Sequence, residues 1–262
     1  PFHTWQPDTY KEAPTAGTML LAGIMLKMGI YGLMRWLLPI LPHGVMLWTP
    51  VVIVLGVIAV VYGSIIAIKQ DDLKKLLAYS SFAHVGLISM GVFTLTRERF
   101  QGAAVQMFAQ GFHVVGFLIA AEIILQRTGK LSISQLGGIR NVAPKFAACF
   151  MIVVLASVAL PGTNAFIGEF LLLFGVYEYN TWLSIIAGLT IILGAVYMFR
   201  MYQNVMLGET NALTASFEDL NWKEMLVFVL IIIAVFQIGL YPKELMHMMQ
   251  PSLDNILNYS LR

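Results

Sequence analysis

The chain has 262 residues, of which 58% are hydrophobic and only 11% are charged. A soluble domain carries about 25% charged residues, so this is the composition of a polytopic membrane protein. A net charge of +2 gives no reason to expect a nucleic-acid partner, and a single cysteine, Cys149, excludes an intrachain disulfide.

Without a C-x-x-C pair there is no thiolate set for an iron–sulfur cluster or a structural zinc, and no glycine-rich phosphate loop is present. No cofactor and no metal site are expected. The chain reads as a single transmembrane domain over 1–262, all-α, because an open sheet edge cannot sit in lipid. It starts at Pro1 rather than Met, so it reads as N-terminally truncated, with 1–12 the end of a broken helix or a loop.

About seven spans follow. The first, 13–38, is ended by Pro39 and Pro42 and holds Lys27 among apolar residues, with Arg35 the only other charge there. At about 1.5 Å per residue Lys27 lies roughly 20 Å from Ala13, near the middle of a core about 30 Å thick. A charge at that depth costs at least ~3 kcal/mol on insertion scales and faces protein or water rather than lipid. It can lock helices by pairing with a carboxylate, or it can carry a proton. Gly23, Gly29 and Gly32 flank it, residues that permit close helix approach or local unwinding.

The second span covers 45–68 and the third 73–94. Asp71 and Asp72 sit where carboxylates cap a helix start. Lys74 follows them, where a lysine can equally snorkel to water or serve a path. His84 lies further along, with Ser80 and Ser81 four and three residues before it on the same face. Hydroxyls beside an imidazole in a membrane can hold water and relay protons. The fourth span, 100–126, places Gln106, Gln110 and His113 on one seam, at i, i+4 and i+7. That seam can glue helices or line a water wire. Glu122 lies on another side, near Arg127, and is expected to form an interfacial ion pair with it.

The fifth span, 143–177, is interrupted by Pro161-Gly162, with Asn164 placed to cap the new half-helix. Broken helices at membrane depth sit beside protein or a wet cavity and mark ion sites. Glu169, one to two turns past the break, is the second deep charge. The sixth and seventh spans cover 181–207 and 221–241. The basic loop residues Lys11, Lys69, Lys74, Lys75, Arg127, Lys130, Arg140, Lys145, Arg200 and Lys223 fall on one face. Arg35, Arg97, Arg99, Lys243 and Arg262 fall on the other. The positive-inside rule puts the first set in the cytoplasm or its equivalent and the C-terminal tail outside. The loop 127–145 is expected to dock on a neighbour or to pack across its own helices.

Several segments resemble the proton-translocating antiporter-like subunits of respiratory complex I, over essentially the whole chain. These are Pro1-Phe2-His3-Thr4-Trp5-Gln6-Pro7-Asp8, Glu12-Ala13-Pro14-Thr15-Ala16-Gly17 and Leu21-Ala22-Gly23-Ile24-Met25-Leu26-Lys27-Met28-Gly29-Ile30-Tyr31-Gly32, then Asp72-Leu73-Lys74-Lys75-Leu76-Leu77-Ala78-Tyr79-Ser80-Ser81 and Pro161-Gly162 with Gly168-Glu169-Phe170. A glutamate in the broken late helix resembles the chain-4 (subunit M) type; sister subunits typically carry lysine there.

The resemblance implies the later half of a fourteen-helix fold, in the bacterial inner membrane or an organellar equivalent. It implies proton translocation coupled to redox chemistry in partner membrane and dehydrogenase subunits. Lys27 corresponds to the central-axis lysine, His84 to the bridging-helix histidine and Glu169 to the terminal carboxylate. Lys74 lies in a family motif. Gln110 stands where the family often has histidine, and His113 one turn on is a substitute. The family's earlier glutamate–lysine pair is absent from these residues. Two other readings share the features: a subunit of a multi-subunit sodium/proton antiporter or membrane-bound hydrogenase, and a non-pumping membrane scaffold.

Overall fold

The computed structural model describes residues 3–260, and the described residues form helices joined by short connections. Helix α1 spans Trp5–Glu12 and stops at Pro14. The first long span, α2, runs Thr15–Ile40. It is α-helical except for two π turns, Leu21–Met25 and Leu33–Leu37, which bracket Lys27. Then come α3 (Pro42–Lys69), α4 (Leu73–Phe93) and α5 (Arg97–Thr128). The broken span consists of α6 (Pro144–Ser157) and α7 (Asn164–Tyr179). Helices α8 (Thr181–Met206), α9 (Trp222–Leu240) and α10 (Pro242–Ser260) complete the chain.

Six of these, α2, α3, α4, α5, α8 and α9, are long and apolar enough to cross a membrane among the described residues. The α6–α7 pair supplies the seventh crossing that the sequence calls for. Helices α4 and α5 are the interior of the bundle, since most of their residues are buried, whereas α9 is largely exposed. Exposed Leu47, Trp48, Ile58, Trp182, Ile192 and Leu230 give the outer helices an apolar coat suited to lipid. The last helix, α10, has no counterpart among the sequence-based expectations, which end at 241. It buries Leu253 and Ile256 against the end of the bundle.

The basic residues gather at one end, as expected. There Lys75 pairs with Asp8 at 2.9 Å, Arg200 donates to the Ile68 carbonyl at 2.7 Å, and Arg127 pairs with Glu224 at 2.7 Å. At the other end Arg99 pairs with Glu178 at 2.6 Å, tying the start of α5 to the end of α7. The 127–145 loop packs across its own helices. Asp71 accepts hydrogen bonds from Ser132 and Ser134, and Thr214 donates to the Gly137 carbonyl. Partial burial works to raise the Asp71 pKa, but the bonds from Ser132 and Ser134 and the nearby Arg200 charge outweigh it and hold it below the usual value.

One local expectation is overturned and another holds in part. Glu122 does not pair with Arg127; it accepts from Gln126 at 2.8 Å, while Arg127 reaches Glu224 and lies over the Phe217 ring. Five residues along a helix are about 140° apart, so the two side chains diverge. Of the glycines around Lys27, only Gly23 serves close approach, with its carbonyl 3.2 Å from where a Cβ on Gly111 would stand. Gly29 and Gly32 face open space.

Candidate proton-transfer site

The π turn before Lys27 widens α2 just where the lysine must be accommodated. Such turns arise where a helix departs from its ideal hydrogen bonding, frequently at functional positions. Lys27 is 7% exposed, and its amine reaches back to the Ala22 carbonyl at 2.5 Å. It lies at the wall of an open apolar groove of about 590 Å³ between α2, α5 and α9, lined also by Tyr31, Phe112, Val115 and Ile231. The close packing of Gly23 on Gly111 holds the α2 segment that carries Lys27 against α5.

That seam does what its spacing suggests. Its three polar side chains are buried; two of them reach α7 and one reaches α4. Gln106 donates to Glu169 Oε1 at 3.1 Å, Gln110 to the Ser81 carbonyl at 3.3 Å, and His113 Nε2 meets Asn164 Oδ1 at 2.6 Å. The seam therefore joins α5 to α4 and to the first two turns of α7. Gly168 makes this possible: any Cβ there would stand 2.9 Å from Gln106 Cα.

Asn164 does not cap α7. The flanking residue is Thr163, whose hydroxyl turns back to the Leu160 carbonyl, and Asn164 is the first helical residue. The break itself is as expected, with Ala159 and Gly162 both at positive φ between α6 and α7. The direction in which Asn164 points is set by the packing of α5 on the break, so its side chain satisfies His113 instead of the helix end.

Glu169 is 3% exposed. His84 Nδ1 lies 3.3 Å from its Oε1, within ion-pair range but not aligned as a hydrogen bond. A carboxylate and an imidazole at that distance can share a proton, with the charge on either group. Around them Ser81 Oγ, His84 Nδ1, Gln106 Oε1, Gln110 Oε1 and Asn164 Nδ2 are buried without a protein hydrogen-bond partner. Buried polar atoms in folded proteins are met by protein or by ordered water, so this clustering has the character of a hydrated seam, not of a dry core.

Of the six residues singled out from sequence, four meet where α4, α5 and α7 pack: His84 lies against Glu169, Gln110 bonds the Ser81 carbonyl and His113 bonds Asn164. Lys27 is buried on α2, where its amine meets the Ala22 carbonyl of its own helix. Lys74 stands apart at the basic end, where it is buried and donates to the Ala13 carbonyl at 3.1 Å, the C-terminal cap of α1. Sequence reasoning missed Tyr197, whose hydroxyl is buried 3.0 Å from Ser80 Oγ. Its only signal was a phenol, one of two in an apolar span with Tyr202, which carries no partner information.

Residues 1–194 match the family model described as NADH:quinone oxidoreductase/Mrp antiporter, transmembrane. The chain belongs to this antiporter family. It is 42% identical over 258 residues to NADH-quinone oxidoreductase subunit M of Rickettsia typhi, covering 98% of this chain and 52% of that protein. It is 36% identical to NADH-ubiquinone oxidoreductase chain 4 of Marchantia polymorpha, covering 99% of this chain and 52% of the relative. The chain thus spans about half the length of the curated relatives it matches. A chain in the structure of respiratory complex I from Thermus thermophilus with bound NADH superposes with a TM-score of 0.93 at 30% identity, over 99% of this chain and 55% of that one. A chain of the Mrp complex from Dietzia sp. DQ12-45-1b shares the antiporter fold, with a TM-score of 0.88 at 16% identity over 100% of this chain and 58% of that one.

Proposed function

We propose that this antiporter-family chain moves protons across the inner membrane as part of an NADH:quinone oxidoreductase, with the electron chemistry in partner subunits. The carrying observation is the Glu169–His84 pair, bridged by Gln106 to α5 inside a seam of unpartnered polar atoms. The relatives named subunit M and chain 4 favour this reading over that of a separate sodium/proton antiporter.

In this reading Lys27 and Glu169 are the two charge-bearing ends, and His84 and His113 are the intermediate carriers. Gln110 cannot titrate, so it orients water and Ser81 while His113 takes the step. A proton arriving at His84 favours release of the one on Glu169, because two interacting sites titrate as a pair. Moving one charge against the membrane potential requires about 2.3 kcal/mol per 100 mV, so the driving force comes from outside this chain. Lys74 holds α1 against α4 and anchors the basic end.

The test is Glu169→Gln in the full complex reconstituted into liposomes. The amide keeps an acceptor for Gln106 but cannot carry a proton. NADH-driven proton uptake is expected to fall at least tenfold with the complex still assembled. Uptake at the wild-type level would overturn the proposal and leave the scaffold reading.

A further inference from the structure

A path through Glu169 and His84 needs a connection to one water phase, and the basic end of the bundle offers one. Beneath the 127–145 loop lies a cavity of about 70 Å³ lined by Asp71, Gln70, Ser134, Arg200, Asn204 and Tyr197. A water needs about 10–15 Å³ of such space, so the cavity is roomy enough to be hydrated, and Gln70, Asp71, Ser134, Arg200 and Asn204 supply polar partners. Tyr197 also borders the interior. It is 1% exposed, and its hydroxyl is 3.0 Å from Ser80 Oγ.

Ser80 sits one helical turn before His84 on the same face. Its neighbour Ser81 has a buried hydroxyl without a protein partner and a carbonyl that accepts from Gln110. The polar groups thus continue from the charged end, through one phenol and one serine, to the Glu169 cluster. Apolar Ile68, Leu76, Ile133 and Met201 also line the cavity.

We infer that the Tyr197–Ser80 hydroxyl pair is the inlet by which protons pass from the Asp71–Arg200 vestibule to His84 and Glu169. This rests on the pumping role proposed above. In one step a hydronium in the vestibule gives a proton to Tyr197 Oη as the Tyr197 proton passes to Ser80 Oγ and the Ser80 proton passes, through an intervening water, to a ring nitrogen of His84. The hydronium becomes water, each hydroxyl and the bridging water gains one O–H bond for the one it loses, the imidazole gains an N–H and the positive charge, and no oxidant or reductant takes part. Both hydroxyls then rotate back to accept the next proton.

The experiment uses the full complex in proteoliposomes and compares Tyr197→Phe, Ser80→Ala, Ser80→Thr and Glu169→Gln. The first keeps the ring and its packing but removes the hydroxyl. NADH-driven proton uptake is expected to fall at least fivefold in Tyr197→Phe and Ser80→Ala, and to stay within twofold of wild type in Ser80→Thr. A packing role predicts the opposite order for the two serine variants, since alanine fits and threonine crowds. Wild-type uptake in Tyr197→Phe together with loss in Glu169→Gln would overturn the inlet and leave the pump. Wild-type uptake in both would overturn the two together.

Discussion

Gly168→Ala tests whether close packing of α7 on α5 builds the site. The added methyl would stand 2.5 Å from Gln106 Oε1, 2.8 Å from its Cβ and 2.9 Å from its Cα, whereas ordinary contact begins at 3.4 Å. The amide can rotate away, but the backbone cannot, so the helices must part by about 0.5 Å. That stretches the bond from Gln106 to Glu169 from 3.1 Å to about 3.6 Å, outside hydrogen-bonding range. Overpacking costs about 1–3 kcal/mol and an orphaned buried amide about 1–3 kcal/mol, while alanine regains about 1 kcal/mol of helix propensity. The net expectation is a loss of about 1–5 kcal/mol, with proton uptake impaired because Glu169 loses its bridge. Gly188→Ala is the control: it is helical with nothing within 4 Å of the added methyl, so it should be neutral or slightly stabilising. Thermal unfolding and proton uptake of the purified complex read both variants. Identical behaviour of the two would refute the packing argument.

His113→Gln keeps an amide donor for Asn164 but not a titratable ring, so stability should stay within about 1 kcal/mol while proton uptake falls several-fold. Undiminished uptake would mean that His113 only positions the break. Asp71→Asn addresses the loop at the basic end. Because the Asp71 pKa lies lower in the folded state, its contribution is full above the unfolded value of about 3.9 and disappears as pH falls through the folded value. The variant should therefore exchange amides of 130–138 faster than wild type at pH 7, by about fivefold for a loss of about 1 kcal/mol, with the gap closing toward pH 3. A gap that stays constant to pH 3 would rule out the charge.

The apolar lengths, the Pro161-Gly162 break and the two deep charges were legible in the chain itself, because each is a local property. A lysine or glutamate inside about 20 apolar residues is costly wherever the helix packs, so Lys27 and Glu169 stand out before any contact is known. The i, i+4, i+7 spacing likewise placed Gln106, Gln110 and His113 on one face, since helical geometry fixes that. Which neighbours they meet depends on the rotation and depth of other helices. Asn164 turns to His113 rather than to its own helix end, Arg127 passes over Glu122 for Glu224, and Tyr197 joins Ser80 from 117 residues away. Helix α10 escaped notice because its apolar residues are too sparse for a span, and it is held by its contacts at the end of the bundle. Composition and periodicity determine what must be buried; only the assembled bundle decides against what, because interhelical pairing is a long-range choice that no single segment encodes.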